Sequence, residues 1–212
     1  QATNMLLPHL DKNGYVLSAQ NGLNEMVISE IVGRPRTMGA FLNFGADWLG
    51  PGRILFGNRG AVVLGELDGS VYPRTNDMFN LMQKFDSDAV LTDNIWGYLW
   101  GKLAYGAMLF ATALTNRSMA DNFAKAEFTP IWSGLAREVI ALAQKRNVTP
   151  VGFNGFDPAA FLPGSDRLEA DRCISGLVAF NMKSAKTHSG IWRDLAVRRR
   201  KTEVDDQIGV LI

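Results

Sequence analysis

Apolar positions along the chain follow two periods. Through residue 66 they come in short runs broken by glycine. "YVLSA" at 15–19, "TMGAFLNF" at 37–44, "RILFGN" at 53–58 and "AVVLGEL" at 61–67 read as strands separated by Gly-rich turns. Between them, "ATNMLLPHL" (2–10) is a short helical piece and "KNG" (12–14) a turn. "LNEMVISEIVG" (23–33) places Leu23, Met26, Val27 and Ile31 at helical spacing, with Gly33 as its C-cap. From about residue 74 the period becomes 3.6. "NDMFNLMQKF" (76–85) predicts one helix and residues 94–115 a long one. "FTPIWSGLAREVIALAQKRN" (128–147) predicts a third, with Pro130 near its first turn and Leu135, Val139 and Leu142 on one face. "FDPAAFL" (156–162) gives a short turn of helix. "EADRCISGLVAFNMKS" (169–184) gives a further long helix, and "TEVDDQIGVLI" (202–212) opens a last one. The expected class is α/β followed by all-α: the last part of a nucleotide-binding sheet with an antiparallel edge, then a helical part. The expected boundary lies between 1–66 and 67–212.

The run "NIWGYLWGKLAYGAMLFATALTN" (94–116) contains a single charge, Lys102. It is long enough to span a bilayer. A lysine at mid-membrane costs roughly 2.5 to 3.5 kcal/mol, however, and Asn94, Thr112, Thr115 and three glycines weaken the hydropathy further. A soluble helix is the better reading. At 100° per residue Gly97, Gly101, Ala104, Met108 and Ala111 form a small-residue stripe that another helix can approach. Lys102 lies opposite, with Tyr98, Gly106, Leu109 and Ala113. There its cation either reaches solvent along its apolar stem or faces a cleft.

Composition narrows the class. Of 212 residues, 47% are hydrophobic and 20% charged, the balance of a soluble globular protein. A net charge of +1 supplies no field to attract nucleic acid or a membrane surface. The single cysteine, Cys173, excludes an internal disulfide framework and a cysteine-based zinc cluster, and makes the cytoplasm the default compartment. His9 and His188 do not make a metal site. The basic run Arg198–Lys201 reads as a solvated face. "TEVD" (202–205) reads as a capping box, with Thr202 as cap, Asp205 closing the box and Glu203 in the first turn. The chain starts without methionine, with no signal-peptide pattern, and stops within an amphipathic pattern, so a fragment of a longer protein is expected.

Three segments taken together carry more than any one of them. They are "SAQNGLNE" (18–25) at a strand end, the lysine helix with Trp100-Gly101-Lys102-Leu103, and "KTHSGIWRDLAVRRRKTEVDDQIG" (186–209) with Ser189, Asp194, Thr202-Glu203-Val204-Asp205 and Gly209. In this order they resemble motifs of the ketopantoate reductase (2-dehydropantoate 2-reductase) family; "GPG" at 50–52 and the "GEL" strand end also fit. The resemblance implies an NADPH-dependent reductase of 2-keto acids of the kind used in pantothenate biosynthesis, with NADP(H) held by a Rossmann-type domain. It implies Lys102 as the general acid that protonates the ketone oxygen. A lysine suits that role because one atom supplies both a positive charge and a proton to the developing alkoxide.

The resemblance further implies Glu203 as an active-site carboxylate; by itself it is a favourable first-turn acid. It implies Ser189 as a substrate contact, where a plain helix cap is the alternative. Asn21 would lie between nicotinamide and lysine, where an Asn-Gly turn residue is the alternative. His188, beside Ser189, is a further possible contact.

Departures from the family pattern are also visible. No G-x-G-x-x-G occurs, so the pyrophosphate has no cradle in these residues, and the chain alone is expected neither to bind NADPH tightly nor to turn over. Gly106 and Phe110 stand where typical members carry asparagines, which predicts a less polar substrate pocket and a bulkier 2-keto acid. Ser189 lies five rather than four residues before Asp194, and one extra residue separates Asp194 from Glu203. A homodimer is possible. The alternative function is a non-catalytic helical module for dimerisation or partner binding.

Overall fold

The computed structural model describes residues 2–211; Gln1 and Ile212 lie outside the described residues. Helix α1 (Ala2–Leu6) runs into a 3-10 turn at Leu7–His9 and leads to strand β1 (Val16–Ser18). Helix α2 (Asn24–Val32) ends at Gly33, whose φ of 90° lets the chain leave the helix. Strands β2 (Thr37–Leu42), β3 (Gly45–Gly50), β4 (Arg53–Asn58) and β5 (Val62–Glu66) follow. Then come helix α3 (Pro73–Phe85), the two-residue strand β6 (Val90–Leu91) and helix α4 (Ile95–Thr112). The remainder is helical: α5 (Met119–Phe123), α6 (Thr129–Lys145), α7 (Arg167–Met182), α8 (Gly190–Trp192) with a π-type turn at Arg193–Val197, and α9 (Val204–Gln207).

The main sheet has the order β1-β2-β5-β6. β1 and β2 are parallel, β5 runs antiparallel to β2, and β6 parallel to β5. The sheet thus takes its last strand from beyond residue 66. Strand alternation gives it two apolar faces. Met38, Ala40 and Leu64 meet Met78 and Phe79 of α3, while Phe41 and Val63 join the large core built around α4, α6 and α7. That core runs without a break from the sheet into the helical part, with Ala104, Met108, Ala136, Ile140 and Phe161 fully buried. This is the expected class, an α/β Rossmann-like sheet followed by a helical region.

Four local expectations are corrected. The buried face of α2 is Glu25, Ile28 and Val32, with Leu23 just before it; Met26 and Val27 are exposed. Residues 45–50, read as a turn, form β3, which pairs with β4 in a separate hairpin. Its inward residue is the buried Asp47, and its outward ones include the exposed Trp48, Ile54 and Phe56, which inverts the usual polarity. The stripe on α4 does not only meet a helix. Gly97 and Gly101 lie against backbone at Thr149 and Val151, and Val151 N–H donates to Gly97 O at 2.9 Å. In α6 the innermost residues are Trp132, Ala136, Val139, Ile140 and Ala143, whereas Leu135 and Leu142 flank the core. Among the described residues no helix is long and apolar enough to cross a membrane, and no cluster of three or more His, Cys, Asp or Glu could hold a metal.

Candidate active site

Asn94 fixes the start of α4. Its Oδ1 accepts from Gly97 N–H at 3.0 Å, and its Nδ2 donates to Thr149 O at 3.0 Å, which ties the helix N-terminus to the 149–151 segment. From this anchored helix Lys102 points at the end of β2. Nζ donates to Leu42 O at 2.5 Å and lies 5.4 Å from the centre of the Phe41 ring. The solvent-reaching alternative is therefore not what the fold adopts. Burial pushes the Lys102 pKa down from 10.5 to about 8, opposed by the negative charges of Glu25 and Glu203.

Lys102 opens on a cleft of about 310 Å³. Asn21 and residues 42–45 border it from the strand ends, Tyr105, Gly106 and Leu109 from α4, and Met119 from α5. Phe180 and Asn181 of α7 close one side. Ser189, Asp194, Arg198, Arg200, Glu203 and Gln207 come from the C-terminal segment. Lys102, Glu203, Ser189, Gly106 and Asn21, separate in sequence, are thus brought to one place. Phe110 and His188 do not border it. His188 stacks on Trp192 at 4.1 Å between ring centres, with its ring Nδ1 2.9 Å from Thr187 Oγ1.

The details differ from the sequence reading at several points. The capping box is absent: α9 begins at Val204, Glu203 is its N-cap residue and makes no side-chain cap bond. Instead Gln207 Nε2 donates to Glu203 Oε2 at 2.6 Å. A Cβ built on Gly106 would meet only Gln207 Oε1, at 3.8 Å, so an amide from α9 faces the position where the helix itself carries none. Ser189 caps α8 by accepting from Trp192 N–H at 3.1 Å, and its hydroxyl hydrogen remains to be donated. Asn21 sits in the turn before α2. The next residue, Gly22, has φ of 89°, and a Cβ there would press on Asp206 O, so α9 seats directly on this turn.

Arg198 and Arg200 are exposed, as a solvated face would be, yet both are engaged. Both donate to Asp194 Oδ1 at 2.9 Å. Burial raises the Asp194 pKa, but the two guanidinium groups outweigh it and hold the carboxyl below its usual range. Asp47 of β3 similarly receives Arg193 at 2.8 Å and Lys186 at 3.3 Å, which fastens the hairpin to the segment entering α8. Tyr105, fully buried, accepts from Asn181 Nδ2 at 3.3 Å, and burial pushes its pKa up to about 12. The sequence reading missed Tyr105, Asn181, Gln207, the two arginines and Glu25. Only the arginines carried a signal: a basic run with an acid four residues before its first member.

The sequence matches two family models, ketopantoate reductase PanE/ApbA over residues 1–69 and ketopantoate reductase PanE/ApbA C terminal over residues 94–212. Solved structures share its fold. A D-mandelate dehydrogenase in complex with NADH is 18% identical, with a TM-score of 0.78 over 99% of this chain and 65% of that one. A 2-dehydropantoate 2-reductase from Geobacter metallireducens GS-15 is 19% identical, with a TM-score of 0.74 over 94% of this chain and 61% of that one. A dimeric ketopantoate reductase from Staphylococcus aureus is 17% identical, with a TM-score of 0.67 over 98% of this chain and 64% of that one. The chain therefore spans less than two thirds of the length of these relatives. No curated protein matches it.

Proposed function

The chain belongs to the ketopantoate reductase family, and we propose that it carries the substrate-binding and proton-donating part of a nicotinamide-dependent reductase of 2-keto acids. The observation that carries this reading is the convergence of Lys102, Glu203, Ser189 and Asn21 on one cleft at the strand ends. In the proposal Lys102 Nζ hands a proton to the ketone oxygen as negative charge builds there. A pKa of about 8 keeps the amine charged at neutral pH yet willing to release its proton. Glu203, oriented by Gln207, accepts from a substrate hydroxyl, and Ser189 donates to the carboxylate. Leu109, Met119 and Ile191 line the same cleft and would take the substrate side chain, which favours a bulkier 2-keto acid than ketopantoate.

A nicotinamide dinucleotide would supply hydride to the keto carbon, and NADP(H) is the expected form. The residues present fit only its nicotinamide end. Asn21 projects from a strand end into the cleft with Lys102. The α2 N-terminus that follows carries the buried Glu25 in its first turn, a charge that would repel phosphate. The proposed division is 1–66 for the cofactor side and 67–212 for the substrate side. A homodimer in the cytoplasm is the proposed form and location. Cys173, buried with its pKa pushed up to about 11, suits a reducing compartment as an inert thiol.

The test offers NADPH and NADH with a panel of 2-keto acids, first to this chain and then to a polypeptide in which a dinucleotide-binding segment precedes it. The chain alone should give no steady reduction. The extended polypeptide should, and Lys102→Met should lower its kcat/KM by at least about 100-fold. A Lys102→Met variant within tenfold of the parent overturns the role of the lysine. No reduction of any 2-keto acid with either dinucleotide would favour the alternative of a helical dimerisation or partner-binding module.

A further inference from the structure

Gly106 is the glycine of α4 that packing does not require. A Cβ at Gly97 or Gly101 would collide with the backbone of the 149–151 segment. At Gly106, among the described residues outside its own helix, a Cβ would meet one atom within 4 Å, Gln207 Oε1 at 3.8 Å, which is ordinary contact. Glycine inside a helix is less stable than alanine, and here no neighbour needs the room. The position borders the cleft. Opposite it stands an amide whose orientation is fixed. Gln207 is only 9% exposed and rests on Gly22, where a built Cβ would lie 3.6 Å from both Cα and Cγ of Gln207. Its Nε2 donates to Glu203 Oε2 at 2.6 Å. A carboxylate only accepts, so the amide nitrogen must face Glu203 and the oxygen must face away from it, toward Gly106. Among the described residues no donor is bonded to Oε1, which is left to face the cleft. Gly106 follows Lys102 by one turn on the same face of α4, about 6 Å along its axis.

We propose that Gln207 is a specificity-determining residue: its Oε1, over the opening at Gly106, selects 2-keto acids whose side chain ends in a hydrogen-bond donor, a hydroxyl or an amide N–H. The inference rests on the reductase reading above and sharpens its substrate. Lys102 takes the ketone oxygen, and the acceptor lies one helical turn away, so the selected donor belongs to the far part of the side chain and not to the carbons beside the ketone. One amide then serves two partners through opposite atoms, Glu203 through Nε2 and the substrate through Oε1. An isostere ending in a methyl group would leave Oε1 facing hydrocarbon, deprived of water and given no donor in exchange. The same geometry accounts for the bare position on α4, because a side chain at residue 106 would cover the acceptor.

The probes are 5-hydroxy-2-oxopentanoate and its isostere 2-oxohexanoate, offered to the extended polypeptide. Its kcat/KM should favour the hydroxyl compound by about tenfold. Gln207→Met removes the acceptor and should erase most of that ratio. Gly106→Ala keeps the bond to Glu203, sets a methyl group against Oε1 and should lower the ratio at least about threefold. Its Tm should be no lower than the parent's. No preference in the parent overturns the proposal, as does a ratio unchanged in either variant. A ratio that falls in Gln207→Met alone would mean that the amide acts only through Glu203. A lower Tm in Gly106→Ala would make the glycine a packing requirement and overturn the proposal too. The chain by itself supplies a readout independent of turnover. The Gln207 side-chain amide resonances, assigned by their loss in Gln207→Met, should shift on titration with 5-hydroxy-2-oxopentanoate and far less with 2-oxohexanoate. Equal shifts, or none, overturn the proposal. A selective shift with no reduction of either compound by the extended polypeptide supports the recognition and overturns the reductase reading instead.

Discussion

Replacing Lys102 by methionine should make the fold more stable at neutral pH. The drop in its pKa from 10.5 to about 8 means that folding weakens its hold on a proton. At about 1.4 kcal/mol per tenfold in proton affinity, that corresponds to roughly 3 kcal/mol, an upper figure because Lys102 borders an open cleft. The sign follows from linkage. A lysine whose folded pKa lies below its unfolded value costs the fold its full amount below about pH 8. The cost fades as pH rises toward 10.5, because the unfolded chain then loses its proton too. Methionine fills similar volume without the charge, but forfeits the bond to Leu42 O, worth about 1 kcal/mol at any pH. The expected net gain is therefore roughly 1–2 kcal/mol at pH 7, turning into a small loss near pH 10. Urea unfolding of both proteins at the two pH values, with equal slopes, measures it. A variant less stable than the parent at pH 7, or a difference that does not change with pH, would refute the claim that Lys102 is held against its own solvation.

Two further substitutions test the frame around the cleft. Gly101→Ala would place a methyl group on Val151 O and should lower stability by about 1–3 kcal/mol, read as a fall in Tm; an unchanged Tm would show that the 149–151 segment gives way freely. Asp194→Asn should weaken the hold on Arg198 and Arg200 and cost about 1–3 kcal/mol at pH 7. Since the Asp194 pKa is depressed in the fold, its contribution is present above the unfolded value of about 3.9 and is lost as pH falls through the folded one, so the gap in urea midpoints should narrow in acid. A gap that persists unchanged there would mean that the pair of arginines is held by packing instead.

The long helix was legible because its signals agree: an apolar run with a single charge, a capping asparagine at 94 and no proline. The predicted 94–115 became Ile95–Thr112. The α2 face failed because counting apolar positions sends every glutamate outward, and Glu25 is the one that goes in. β3 failed for the mirror-image reason: Asp47 points in and Trp48 out, so the alternation is present with its polarity reversed. The three motifs named Asn21, Lys102, Gly106, Ser189 and Glu203, which border the cleft, but none of the contacts between them. Nothing local announces that Gln207 will face Gly106, or that Asp194 will gather two arginines from a run that reads as solvated. Such facts depend on which distant segments meet, and a single chain shows only spacing. The basic run is the clearest case: it stays exposed, yet one buried carboxylate holds two of its four cations.

The two walls of the cleft are held by different forces, and that division bears on function. Lys102, Tyr105 and Gly106 stand on α4, whose inner face is part of the continuous apolar core. A side chain on such a helix is held by close packing, which resists small displacements, as the proton donor proposed above would require. The opposite wall, from Lys186 to Gln207, is made of α8, a π-type turn and the four-residue α9, each too short to be stable without its contacts. Ion pairs at Asp47 and Asp194 and the seat on Gly22 hold it in place. Such contacts can be rebuilt around a different substrate without disturbing the core. The proposed proton donor therefore sits where sequence change disturbs the core, and the proposed substrate contacts sit where it does not. On this division, Gly106 opens space on the rigid wall and Gln207 supplies an amide from the adaptable one, which changes what the cleft accepts while leaving Lys102 where it is.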